Sequence, residues 1–247
     1  MSSDTKAPGE NESAAIDPFD PKSFQQPANM TAGANAGEAS PLSVPGITQV
    51  KLLVFDMGHV FVDFDWDEVC NGFCARASIS RDEFKKVLAY LGGLGYERGQ
   101  ISTSDFLREL NLKLGTTLNL EEFRVLWNVS FHENPDMATL LQGLRTRLPL
   151  YLLSNTNEEH YGFLQTTFNV ARHFQERILS YEVGCAKPDH SIYHEVLKRS
   201  GLPAAHHLFV DDLEPNVKAA QAVGMQAIRF SGIDNLKQQL QAHGIAV

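Results

Sequence analysis

From residue 50 the chain reads Val-Lys-Leu-Leu-Val-Phe and then breaks at Asp56-Met57-Gly58. A short, nearly continuous apolar run that ends on an acid suits a strand covered on both faces, as in a parallel sheet. Similar runs recur at 148–153 and 207–210, and less cleanly at 177–181 and 225–230. Between most of them the apolar positions follow a helical period, as at 136–144, 190–198 and 214–223, with Gly201 and Gly224 placed as helix stops. This alternation predicts an α/β fold: a Rossmann-like parallel sheet with right-handed crossovers and ligands at the carboxyl ends of its strands. Residues 66 to about 134 break the rhythm. They hold no comparable strand but several amphipathic stretches, at 66–77, 81–91, 103–114 and 120–129. An α-helical cap inserted after the first strand, directly beyond its terminal acid, would sit over the sheet edge as a lid. The expected domains are a core of residues 47–65 and 135–247, a cap of residues 66–134, and a tail of residues 1–46.

The tail is rich in Ala, Ser, Pro, Gly and Asn and has hardly an aliphatic side chain. That is too little apolar surface to offset the entropy of ordering, so it is expected to be disordered. It has no arginine and carries Asp4, Glu10, Glu12, Asp17, Asp20 and Glu38, unlike a transit peptide. The rest of the 247 residues, 43% apolar overall, can bury a full core. A formal charge of −9 disfavours an electrostatic grip on nucleic acid or an anionic membrane. Cys70, Cys74 and Cys185 are odd in number and fit no metal spacing, which points to a reducing compartment. No apolar run approaches the roughly 20 residues of a membrane span. A cytoplasmic protein, monomer or homodimer, is expected, acting on a small phosphorylated metabolite and not on nucleic acid or membrane.

That substrate class follows from polar groups at the ends of successive strands. Asp56 ends the first, Ser154 and Asn155 the second, Lys187 follows the third by a short loop, and Asp211 with Asp212 ends the fourth. Parallel strands point one way, so these ends converge on one rim. Crowded carboxylates repel, and a hard cation with oxygen ligands, most plausibly Mg²⁺, neutralises them without protonation. A phosphate could then bridge metal and protein, accepting hydrogen bonds from Ser154 and nearby backbone N–H groups while the Lys187 ammonium offsets transition-state charge. Asp56 is left to attack phosphorus and give an acyl phosphate that water hydrolyses.

Phe55-Asp56-Met57-Gly58-His59-Val60, Leu153-Ser154-Asn155-Thr156, Ala186-Lys187-Pro188 and Phe209-Val210-Asp211-Asp212 followed by Asn216 resemble, in order and spacing, the four motifs of haloacid dehalogenase-like hydrolases. The resemblance covers roughly residues 48–245. Glu97-Arg98-Gly99-Gln100-Ile101-Ser102 and Phe61-Val62-Asp63-Phe64-Asp65 are similar to bacterial phosphatases of glucose 1-phosphate and related sugar phosphates. The resemblance implies Asp56 as nucleophile, Asp212 and the Gly58 carbonyl as magnesium ligands, and Asp211 as a ligand or its hydrogen-bonded neighbour. It also implies Ser154, Asn155 and Lys187 as phosphoryl binders, and allows a cis Lys187-Pro188 bond. Glu97 and Arg98 of the insertion are candidate substrate contacts, against the plainer reading of a solvated turn.

One departure bears on mechanism. Most phosphatases of this family carry a second aspartate two residues after the nucleophile as general acid, and here that position is Gly58. Such an acid contributes about 10²- to 10⁴-fold, so stable leaving groups should suffer least from its loss. His59 is the titratable neighbour placed by sequence to replace it. Two rival readings follow from the gap. One is a metal-independent 2-haloacid dehalogenase, against which the adjacent Asp211 and Asp212 argue. The other is a non-catalytic member of the fold that binds a phosphorylated ligand or a protein.

Overall fold

The apolar run after residue 50 forms β1 (Leu52–Phe55), every residue of it buried. In the computed structural model, which describes residues 49–247, the chain turns beyond Asp56 into a three-residue strand, β2 (Val62–Phe64). Four helices follow: α1 (Trp66–Ala77), α2 (Arg81–Gly92), α3 (Thr103–Leu114) and α4 (Leu120–Trp127). Each starts where a short polar side chain, that of Asp65, Ser80, Ser102 and Asn119 in turn, accepts the backbone N–H of Asp67, Glu83, Asp105 and Glu122 respectively. Ser80 with Glu83, and Asn119 with Glu122, complete reciprocal capping boxes.

The chain returns through β3 (Phe131–Glu133), antiparallel to β2 with Asp63 opposite His132. Then come α5 (Pro135–Leu144), β4 (Leu150–Ser154), α6 (Glu158–Phe168), β5 (Glu176–Leu179), the short α7 (Ser180–Val183) and α8 (His190–Ser200). β6 (His207–Asp211), α9 (Glu214–Ala222), β7 (Gln226–Arg229) and α10 (Ile233–Ala242) complete the described chain. The main sheet is parallel in the order β5-β4-β1-β6-β7. The chain winds from β1 out to β5 on one side and then crosses to β6 and β7 on the other. The order therefore reverses beside β1, where an open α/β sheet offers its crevice.

The two faces of the sheet bury separate clusters, one around Phe55, Leu152 and Val210, the other around Val54, Tyr193 and Phe209. The four inserted helices have a core of their own, in which Phe73, Phe84, Phe123 and Trp127 are 0–2% exposed. Burying each such side chain is worth about 1.5–3 kcal/mol. The insertion is thus a body with its own apolar interior, joined to the sheet through the β2–β3 ribbon. That ribbon departs from the expectation that residues 66–134 lack a strand. Three-residue strands are too short for a period of two to register in sequence. The expected disordered tail, residues 1–46, lies outside the described residues. Among those that are described, no helix is long and apolar enough to cross a membrane.

Candidate functional site

Asp56 is the first residue past β1, and its N–H still donates to Val210 O at 2.9 Å, which fixes it at the strand end. Its carboxylate Oδ1 accepts the Met57 N–H at 2.7 Å and lies 2.6 Å from Lys187 Nζ. Lys187 also donates to Asp211 Oδ2, at 2.7 Å, so one ammonium stands between acids from β1 and β6. All three residues are at most 7% exposed. Asp211 is held further by the Leu213 N–H at 2.8 Å and by the Asn216 amide, which reaches both its oxygens at 3.0 and 3.1 Å. Asn216, at the start of α9, thus fixes the orientation of the Asp211 carboxylate.

Oxygens of Asp56, Asp211 and Asp212 lie within 4.8 Å of one another. Their crowding favours the protonated carboxyl. Burial pushes the Asp56 carboxyl well above its ordinary value, against the pull of Lys187, and Asp211 and Asp212 raise it further. Asp212 is raised by burial and then by Asp211. Burial alone would lower Lys187, but Asp211 and Asp56 outweigh it and the ammonium is held above its usual range. The site is therefore short of positive charge. Among the described residues nothing donates to Asp56 Oδ2 or to the Asp212 carboxylate from another side chain. Hard oxygen donors with two arms free fit a small divalent cation such as Mg²⁺.

Ser154 ends β4, and Asn155 follows it. Ser154 is 1% exposed, its hydroxyl directed at the Asn155 carbonyl at 3.4 Å. The Asn155 amide donates to Lys187 O at 2.9 Å and accepts from Lys187 N at 2.8 Å. Asn155 is thus a two-point clamp on the lysine loop, a role the sequence did not suggest. The Lys187-Pro188 bond is cis. Thr156 and Ser180 tie the ends of β4 and β5 together through the Ser180 hydroxyl, at 2.9 and 3.0 Å. Thr156 closes the second motif but had no role assigned to it there, and no motif signal marked Ser180.

Gly58 is packed: a Cβ there would stand 3.1 Å from the Phe64 ring. His59 adopts a left-handed φ of 52°. Its ring stacks 4.2 Å from Phe64, with Nδ1 3.9 Å from Asp63. Beside β6, His206 bonds the Gln49 carbonyl at 2.8 Å and His207 the Ser200 hydroxyl at 2.7 Å. Both are structural.

The insertion closes a cavity over this rim. A 3₁₀ turn at Tyr96–Arg98 lines it together with Trp127, Asn155 and Lys187. Glycines in left-handed conformation, Gly95 and Gly99, flank the turn, and a Cβ on Gly99 would meet the Tyr181 carbonyl at 2.2 Å. The turn is thereby pressed against α7 of the core. Arg98 reaches Asp189 at 3.0 Å, and Arg124 grips Glu159 of α6 through two bonds, at 2.7 and 2.9 Å. Glu97 and Arg98 both line the cavity, Arg98 with its side chain 42% exposed and engaged by Asp189 at the edge. Asp189, the partner of Arg98, left no mark in the sequence.

The family model for haloacid dehalogenase-like hydrolases matches residues 50–224. The chain is similar to D-ribitol-5-phosphate phosphatase of Bacteroides thetaiotaomicron, with 28% identity over 77% of this chain and 97% of the relative. It is similar also to a sesquiterpene phosphatase of Aspergillus oryzae, with 28% identity over 74% of this chain and 91% of that one. Among solved structures, a HAD-family enzyme from Bacteroides thetaiotaomicron in complex with magnesium and inorganic phosphate superposes with a TM-score of 0.67. The identity is 26%, over 74% of this chain and 94% of that one.

Proposed function

Because the chain belongs to the haloacid dehalogenase-like hydrolases, we propose that it is a magnesium-dependent phosphatase of small phosphate monoesters, sugar phosphates foremost, working through an aspartyl-phosphate on Asp56. The observation that carries the reading is the juxtaposition of Asp56, Asp211 and Asp212 around Lys187 on one rim of the sheet, under a closed cap. The relatives named as phosphatases, and the magnesium and phosphate held by the similar enzyme, support it.

In this reading Asp56, Asp212 and the Gly58 carbonyl would hold Mg²⁺, with Asp211 beside them, and the ion would supply the positive charge that the acidic rim needs in order to accept a phosphate. Asp56 attacks phosphorus in line with the leaving oxygen. Lys187, fixed by two carboxylates and by the Asn155 clamp, offers its third N–H to a phosphoryl oxygen. The Ser154 hydroxyl rotates from its long contact with the Asn155 carbonyl to donate to another. Lys187, held in place beforehand, needs no reorganisation as charge develops. Asn155 positions Lys187, and the cavity under Tyr96–Arg98 takes the organic part of the substrate, with Glu97 and Arg98 as its polar contacts. Water then hydrolyses the acyl phosphate.

The test is turnover of a sugar phosphate panel by the wild type and Asp56→Asn, with Mg²⁺ and with EDTA. Magnesium-dependent phosphate release by the wild type alone supports the reading. Metal-independent chloride release from 2-chloropropionate would replace it with a dehalogenase. Silence on every phosphate ester by a folded protein would leave a binding member of the fold.

A further inference from the structure

Resting on the phosphatase reading, we propose that Glu97, carried into the cavity by the inserted helices, is the catalytic acid that protonates the leaving group, replacing the carboxyl that position 58 lacks. Three observations converge on it. The first is that the usual place is crowded. A Cβ at Gly58 would come within 3.1 Å of the Phe64 ring, which is itself wedged against His59, Trp66 and Phe131. An aspartate there requires that aromatic packing to give way.

The second observation is a census of the cavity wall. Its titratable side chains are Tyr96, Glu97, Arg98 and Lys187. Tyr96 is bonded to Thr103 at 2.9 Å, and burial pushes its hydroxyl far above the range in which it could give up a proton. Arg98 is paired with Asp189, and an arginine does not deprotonate in proteins. Lys187 is bound to two carboxylates and held above its usual value. His59, the candidate suggested by sequence, stands outside this cavity, on the Asp212 side of the rim, with its ring against Phe64. Glu97 remains. Its carboxyl has no hydrogen bond or ion pair among the described residues, and burial raises its pKa against the pull of Arg98. Both features favour a proton kept and then given.

The third observation is placement. The turn that carries Glu97 is flanked by positive-φ glycines and pressed onto the Tyr181 carbonyl, and Glu97 lines the same cavity as Lys187 and Asn155. The steps balance. An oxygen of Asp56 bonds to phosphorus as the ester P–O bond breaks, and the departing alkoxide takes the Glu97 proton. Water oxygen then bonds to phosphorus while its proton passes to the Glu97 carboxylate. The bond from phosphorus to Asp56 breaks, which releases phosphate and restores both side chains.

The experiment compares wild type, Glu97→Gln and Glu97→Asp on substituted phenyl phosphates of one shape, graded by the acidity of the departing phenol, with Mg²⁺ present. In the wild type kcat should depend weakly on that acidity. In Glu97→Gln the loss should grow along the series, from several-fold for p-nitrophenyl phosphate to about 10²- to 10⁴-fold for the least acidic phenol. Glu97→Asp keeps a proton to give, so it should lower kcat while retaining the shallow dependence. An equal loss for every ester, or none, would overturn the role and leave Glu97 a binding contact. Failure of the wild type to hydrolyse any member would remove the phosphatase reading and this role together, a result distinct from parallel loss. Thermal unfolding of both variants checks that the fold is kept; should Glu97→Gln not fold, steep dependence in Glu97→Asp would itself refute the proposal.

Discussion

Replacing Lys187 by Met keeps the side-chain bulk and removes the one charge shared by Asp56 and Asp211, whose oxygens lie 2.6 and 2.7 Å from Nζ. The lysine is 2% exposed and Asp211 fully buried, so solvent cannot take its place. Removing one partner of a buried pair costs about 3–5 kcal/mol, because the other charges stay behind unpaired. For a folded unit of this size that is a fall of roughly 6–20 °C in Tm. The penalty has a ceiling, since Asp56 can take up a proton. Burial already holds its pKa above the ordinary carboxylate value, with Asp211 and Asp212 adding to it, and the variant loses the opposing pull of Lys187. A group whose folded pKa exceeds its unfolded value binds more protons when folded, so stability drains away as pH rises through the folded value. The deficit of Lys187→Met against wild type should therefore be largest near neutral pH and shrink as pH falls towards the unfolded carboxylate value near 4. Thermal and urea unfolding in EDTA across that range measure it, and added Mg²⁺ should recover part of the loss. A deficit below about 1 kcal/mol in EDTA at neutral pH, or one that widens on acidification, would refute the argument.

Asp56→Asn should abolish phosphate release with little loss of stability, since the side chains are nearly isosteric and the aspartate charge is costly where it sits; wild-type turnover would end the mechanism. His160 is stacked on Trp127, and burial lowers its pKa to about 3. The unfolded state takes up that proton first, so stability falls as pH drops below about 6.5, by roughly 1.4 kcal/mol per unit for this group. In His160→Gln the loss between neutral pH and pH 5, followed by denaturant titration, should be smaller by about 2 kcal/mol. Phe73→Ala, within the core of the inserted helices and stacked 5.2 Å from Phe84, should cost about 3–5 kcal/mol in urea unfolding. A cost under about 1 kcal/mol would mean that this body has no packed core of its own.

Much of the architecture was legible in the chain. Apolar runs ending on Asp56, Ser154 and Asp211 announced parallel strands whose tips carry chemistry, and the amphipathic stretches at 81–91 and 120–129 announced helices of the insertion. Less was legible at the joints. Val62–Phe64 and Phe131–Glu133 pair across some seventy residues, and neither segment is long enough to show its period alone. The turn at Tyr96–Arg98 read equally well as a solvated loop, because nothing local says what a turn will be pressed against.

What the sequence determined by itself is what nearest neighbours along the chain decide: periodicity, caps, strand ends and the left-handed glycine positions, each a matter of sterics and hydrogen bonding within a few residues. The tertiary structure decided which distant groups share a low-dielectric space. It set Lys187 between Asp56 and Asp211, spread the Asn155 amide across the Lys187 backbone, filled the space beside Gly58 with Phe64 and brought Glu97 over the rim. The reason is the steep fall of Coulomb and contact forces with distance. Whether two charges interact, and which one keeps its proton, depends on ångströms of packing that no spacing along the chain encodes.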